Sequence, residues 1–405
     1  MRVVHLTYYY GNNVSGAPVA AMRLHQALLR HGVDSHVVCV DRREDDVNVH
    51  LLPRSRMMSA LFYVVPRICW VLTKLLFGRM LMPNVFPLVG FGRLMRALKP
   101  DLVHVHHIGQ DMVSYGQLER LGVPTVVTMH DLSLLNAVEP YPKADRRFAD
   151  GFTRDNSRWH ERWMFNRKRR LFRCLHPVLI GPSQWVCSMA RESLIGRDCP
   201  VEEVLNIVDP VYAYAAEDRV PHEKFTLVFG AYGGRANEYK GWSDLAAALE
   251  ILPREVKAGM VVEVFGESAA DCEVGGVKVK FLGSFSDPRE LRALHHRSDT
   301  LALPSRQDNA PQVKFEALLD GLPVIAFERT GCAEFIRHGK NGWIARDADV
   351  DGYAKGIEFF YRQWQCGELS ALHAQIAAEA SAAFNEAATV GKTLAVYSAV
   401  GRKGG

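Results

Sequence analysis

Short runs of β-branched and other apolar residues alternate along this chain with longer segments whose apolar positions recur at helical spacing. The runs VVHLT from Val3, DSHVVCV from Asp34, DLVHVHH from Asp101, PTVVTMH from Pro124 and HPVLIGPS from His176 form a first series. A strand-then-helix alternation of this kind predicts βα units and parallel sheets, an α/β fold. The polar, proline-bearing stretch VDPVYAYAAEDRVPHEKF from Val208 breaks the pattern. A second series follows, with TLVFGAYG from Thr226, GMVVEVFGE from Gly259, KVKFLGS from Lys278, TLALPS from Thr300 and LPVIAF from Leu322. The pattern predicts two successive Rossmann-like domains, 1–208 and 222–378, joined near 209–223, with a helical segment over 379–405. A length of 405 residues agrees, because it exceeds what one hydrophobic core usually supports.

Charge changes the picture locally. The net charge is +4, but residues 53–99 carry eight Lys or Arg and no acid, and residues 146–170 carry nine basic and three acidic residues. These segments contribute +8 and +6 and leave the remainder near −10. The apolar stretch inside 53–99 approaches membrane-spanning length, yet Pro66, Arg67 and Lys74 interrupt it. The expectation is a surface that lies on anionic lipid, against the simpler alternative of a helical layer with solvated cations. The second basic run mixes Trp159, Trp163 and Phe165 with arginines, but no nucleic-acid recognition motif accompanies it and an acceptor's diphosphate or lipid head groups explain it as well, so no nucleic-acid partner is expected. Eight scattered cysteines without a Cys-x-x-Cys pair, and no secretory leader, favour a reducing compartment and argue against a zinc site.

Open parallel sheets bind ligands at the carboxyl ends of their strands, so the informative polar residues are those that follow strands. After TLALPS come Asp308 and, past seven intervening residues, Glu316. Asn309 is a candidate helix cap and Pro311 suits the first helical turn of a helix expected from about Pro311 to Leu319. Glu316 then shares a face with Val313, Ala317 and Asp320, where a carboxylate needs a hydrogen-bonding partner such as a ribose diol. Pairing with Lys314 or Arg306 is the structural alternative. After TLVF, Arg235 and Lys240 stand beside glycines and ahead of an amphipathic helix, an arrangement that suits a diphosphate. The order is neither a Walker loop nor a dinucleotide fingerprint. Near the start, a helix is expected from about Ala17 or Pro18, where Gly16 in the preceding turn could let a phosphate sit on the helix end or make a plain tight turn, and His130 ends the strand of TVVTMHD.

These motifs agree in order and spacing with a known family. The segments SGAPVAAMRLHQALLRHGVDSHVV, TVVTMHDLSLLNA, LIGPSQWVCSMARES, YKGWSDLAAAL, VKFLGSFSD, LPSRQDNAPQVKFEALLDGLPVIAF and GKNGWIA resemble, nearly end to end, the retaining GT-B glycosyltransferases of family 4, in the exopolysaccharide and O-antigen (colanic-acid-type) branch. The resemblance implies two facing Rossmann-like domains and a C-terminal helix crossing back to the first. It also implies a diphosphate-binding pair in Arg235 and Lys240, and a ribose-holding acid in Glu316. Asn309, Ala310 and Pro311 match the loop against the donor sugar, His130 the histidine on the sugar's far side, and Gly16 the glycine under the phosphates.

The implied partners are a UDP- or GDP-sugar donor and a glycan or lipid-linked acceptor, with no metal and no cofactor. The implied location is cytoplasmic, peripheral on the inner face of the membrane. Two departures stand out. Asp308 replaces the first acid of the family's Glu-x7-Glu motif, one methylene shorter, and NAVEPYPKADRRFADGF lacks the cysteine-rich insertion of relatives. A catalytically silent sugar-nucleotide binder is the rival reading; a nicotinamide enzyme is disfavoured because neither domain opens with Gly-x-Gly-x-x-Gly.

Overall fold

The computed structural model describes residues 1–12, 15–52, 90–107, 112–137, 145–230 and 234–401. The chain forms two compact units, one of Met1–Gly11, Ala17–Leu205 and Ala387–Gly405, the other of Asn12–Gly16 and Asn206–Glu386.

In the first unit seven parallel strands lie in the order Val49–Leu51, Asp34–Cys39, Arg2–Thr7, Leu102–His107, Thr125–Thr128, Val178–Gly181 and Val201–Glu203. Helices on both faces make the strands nearly continuous apolar runs, and Val4, Val38, Val103, Val126 and Leu179 are fully buried. The Glu386–Gly401 helix packs in this unit through Val390 and Tyr397. Its Tyr397 hydroxyl lies 2.7 Å from Nδ1 of the buried His104.

In the second unit the order is Cys272–Val274, Val277–Phe281, Met260–Phe265, Phe225–Gly230, Thr300–Leu303, Val324–Phe327 and Gly342–Ala345, with the edge hairpin Cys272–Phe281 antiparallel and the other pairings parallel. The chain builds outward from Phe225–Gly230 on one side and then returns to build outward on the other. The order therefore reverses between Phe225–Gly230 and Thr300–Leu303, where the diverging connections leave a crevice.

The stretch expected as a joint near 209–223 is part of the second unit. Tyr212 is buried there, Tyr214 N donates to Leu319 O at 3.0 Å, and Arg292 Nη2 reaches Ala213 O at 2.9 Å. The unit also keeps residues 379–386, because Leu369–Ala383 buries Ile376, Ala377 and Ala380 on it. Of the acid-free segment 53–99, residues 53–89 lie outside the described residues. The remainder forms the Phe91–Leu98 helix, which turns Phe91, Met95 and Leu98 inward and Arg93 and Arg96 to solvent. Among the described residues no helix is long and apolar enough to cross a membrane.

Candidate active site

The carboxyl ends of two adjacent strands of the second sheet, Phe225–Gly230 and Thr300–Leu303, carry the residues predicted for this unit. Lys240 closes a short 3-10 turn, Glu238–Lys240, beyond Phe225–Gly230, and Asp308 sits in the loop beyond Thr300–Leu303. Lys240 Nζ donates to Asp308 Oδ2 at 2.5 Å, bridging the place where the strand order reverses. Burial works against the lysine's charge, but the charge and hydrogen bond of Asp308 outweigh it and hold the Lys240 pKa above its ordinary value. A quarter of the Lys240 side chain remains exposed.

Neighbouring residues fix this bridge. The Arg306 guanidinium grips the Asp244 carboxylate with contacts of 2.6 and 2.5 Å, and Arg306 N donates to Tyr239 O at 3.0 Å. Gly241, at φ 72°, lies so close to the Pro304 carbonyl that a Cβ would fall 1.9 Å from its oxygen. Gly331 packs against Asn309 in the same way, with a Cβ position 1.5 Å from the Asn309 carbonyl oxygen. Only glycine permits either approach.

Arg235 follows the same strand as Lys240, but its carboxylate partner is Glu267, at the end of Met260–Phe265. The guanidinium contacts Glu267 Oε1 at 3.1 and 2.9 Å, and the Arg235 N–H donates to Oε2 at 2.8 Å. The cation also lies 4.4 Å from the centre of the Phe281 ring. The hydrogen bonds that Arg235 donates to Glu267 raise the Arg235 pKa and lower that of Glu267. Glu267 was not singled out in the sequence; it lies on an adjacent strand, 32 residues away.

The acid-to-acid segment differs in detail from expectation. The helix is Gln312–Leu319 with Pro311 at its cap position and no capping side chain, so Asn309 is not the cap. The loop amides are also fewer than expected. Pro311 has no N–H, and the Asn309 N–H donates to Asp308 Oδ1 at 2.9 Å. Ala310 is half-buried.

Glu316 is buried on this helix with Ala317, near Asp320, which is bound to His295 Nδ1 at 2.7 Å. The two cations considered as its structural partners are engaged elsewhere. Arg306 holds Asp244, and Lys314 Nζ donates to Gly331 O and Glu334 O at 2.5 and 3.0 Å. Burial pulls the Lys314 pKa down to about 8. Beside it, burial and the charge of Asp308 push the Cys332 thiol up to about 12, which makes it inert.

Gly16 opens the Gly16–Arg30 helix, and a Cβ there would meet nothing within 4 Å. His130 follows Thr125–Thr128, and its Nε2 lies 3.1 Å from His106 Nδ1. His106 Nε2 is in turn 3.0 Å from His5 Nδ1, so three imidazoles run inward from the strand ends. Burial keeps His5, His104 and His106 neutral, with His104 lowered to about 3. Their nitrogens are close enough together for metal ligation, but both His104 nitrogens already meet hydroxyls, of Tyr397 and Thr128, at 2.7 Å. The loop after His130 is held by the buried Lys168, whose Nζ donates to the carbonyls of Ser133, Asn136 and Ala137 at 2.6, 2.9 and 3.0 Å.

Two family models match in succession, Glycosyltransferase Family 4 over residues 14–211 and Glycosyl transferases group 1 over residues 217–379. The chain belongs to glycosyltransferase family 4. Amylovoran biosynthesis glycosyltransferase AmsK of Erwinia amylovora is 23% identical over 205 residues, 44% of this chain and 48% of that protein. Lipopolysaccharide core biosynthesis glycosyltransferase LpsE of Rhizobium meliloti is 29% identical over 134 residues, 31% of this chain and 37% of that protein.

These matches span less than half the length of each relative. Solved structures match over nearly the whole chain. Sucrose-phosphate synthase of Thermosynechococcus elongatus has a TM-score of 0.68 at 16% identity, covering 99% of both chains. Anabaena HepE in complex with UDP and glucose has a TM-score of 0.65 at 16% identity, covering 98% of this chain and 99% of that one. At such identities they establish the fold, which is GT-B.

Proposed function

We propose that this member of family 4 is a retaining, metal-independent glycosyltransferase of surface polysaccharide synthesis. It would move a hexose-type sugar from a UDP- or GDP-sugar to a glycan or lipid-linked oligosaccharide at the inner face of the cytoplasmic membrane. The observation that carries this reading is the Lys240–Asp308 bridge at the reversal point of the second sheet, with Arg235 on the same connection as Lys240. A nucleoside diphosphate in that crevice meets two cations, and leaving-group charge neutralised by side chains needs no metal ion. Glu316, buried within a helix that begins beside this loop, is the candidate acceptor of ribose hydroxyl hydrogen bonds. The HepE structure with UDP and glucose and the names of AmsK and LpsE support the donor class and the polysaccharide context.

In this mechanism departure of the diphosphate, stabilised by Lys240 and Arg235, leaves an oxocarbenium-like sugar. The acceptor hydroxyl attacks from the same face and passes its proton to the departing phosphate oxygen, so the anomeric configuration is kept and no cofactor is consumed. Incubation of the purified protein and a membrane fraction with a panel of UDP-, GDP- and TDP-sugars tests this, with nuclear magnetic resonance reading donor loss and product configuration. One donor consumed with retention supports the proposal. Donor binding without turnover in the presence of membranes would instead identify a silent sugar-nucleotide binder.

A further inference from the structure

We infer that the outer face of the Trp159–Leu175 helix is a docking surface for anionic lipid. This deepens the proposed location at the membrane by assigning it to a described surface of the first unit. The helix sorts its residues by charge. Met164, Phe165, Leu171 and Phe172 are buried on one side, whereas Trp159 is 63% and Trp163 44% exposed. Continuing the same stripe at helical spacing, Arg170 and Arg173 are exposed, and Arg154 and Arg158 are exposed just ahead of it.

The acid of this helix and its lysine are turned away from the stripe. Glu161 is buried, accepts the Arg158 N–H at 2.8 Å and faces Arg147 Nη1 at 3.4 Å, while Lys168 is held by three carbonyls on the inner side. Asp155 is exposed in the loop just ahead of the helix. Arg167 lies 4.8 Å over the Trp163 ring and 5.4 Å over that of Tyr115, which fixes the second indole and a cation together.

Solvated arginines alone would be an ordinary surface. Two outward indoles on the same acid-free stripe are not, because water exposure of such rings is unfavourable unless a second phase takes them up. Indoles settle at the head-group level of a bilayer, and guanidinium groups pair with lipid phosphates in two-point contacts. The exposed cations lie on and just ahead of the outward face of one helix, whereas sequence-tolerant strand binding needs a basic groove that tracks a backbone. That difference favours a bilayer over a nucleic acid.

The test is sedimentation of the full chain with vesicles of equal parts phosphatidylcholine and phosphatidylglycerol, and with phosphatidylcholine alone, across a salt series. The expectation is binding to the anionic vesicles that weakens with salt, reduced about tenfold or more by Arg170→Glu with Arg173→Glu. Trp159→Ala with Trp163→Ala should reduce it comparably. Arg289→Glu, at an exposed cation of the second unit, is the control and should change nothing. Circular dichroism checks that the variants fold; Arg170→Lys with Arg173→Lys should retain most binding.

Equal binding by all variants would overturn the assignment, as would indifference to lipid charge. Binding of a single-stranded RNA oligomer in place of vesicles would overturn it too. Donor turnover measured on the same samples keeps a failure of this surface distinct from a failure of the proposed reaction.

Discussion

Lys240 and Asp308 are joined by a 2.5 Å hydrogen bond although 68 residues separate them, and they stand on the two strand ends between which the sheet order reverses. The pair sets the charge of the crevice. Without Asp308 the buried part of the lysine would be driven toward neutrality. Without Lys240, Asp308 would be a largely buried carboxylate lacking its counter-charge.

Lys240→Ala should therefore lower donor turnover by about a hundredfold or more, the usual cost of removing one preorganised charge from a developing anion. Lys240→Arg should restore part of this. Steady-state kinetics on the identified donor, with thermal unfolding as the control for folding, reads the outcome. Unchanged turnover in Lys240→Ala would remove the crevice from the reaction.

Glu267 holds Arg235 in a two-toothed grip beside the same crevice. Glu267→Ala should leave the fold intact and raise the donor KM several-fold, because the guanidinium loses the fork that aims it. The measurement is KM against kcat. A fall in kcat with KM unchanged would assign Glu267 another role.

Acid should unfold the protein early. Burial lowers the pKa of His25 to about 4 and of His104 and His373 to about 3, so each takes up a proton in the unfolded chain near 6.5 that the folded chain refuses. The stabilisation they give is complete above about pH 6.5 and is lost as pH falls toward these values, each adding about 1.4 kcal/mol per pH unit to the slope.

Asp299 acts in the opposite sense. Burial raises its pKa to about 7, so its contribution is present at low pH and lost as pH rises through 7. The histidines outnumber it, and urea midpoints should fall from pH 7 to pH 5. His104→Gln should flatten that fall; a midpoint independent of pH would contradict the buried neutral histidines.

Lys168→Met should destabilise the first unit by about 2–4 kcal/mol, since three buried carbonyls lose their donor. Thermal unfolding measures this. An unchanged midpoint would show that the loop after His130 is held by other contacts.

The sequence by itself determined the two α/β series, the strand after which each motif residue falls and the family, because apolar periodicity and motif order are local properties of the chain. It also placed Lys240, Arg235 and Asp308 at strand ends. It did not show that Asp308 pairs with Lys240 and Glu267 with Arg235, because those pairings depend on which strands become neighbours. Nothing local in the sequence marks Lys168 and Lys314 as buried, since only the packed loops supply carbonyls in number enough to replace water around an ammonium group. The capping role expected of Asn309 failed for the same reason. Its backbone is occupied by the close approach of Gly331, a residue 22 positions on that only the fold brings to it.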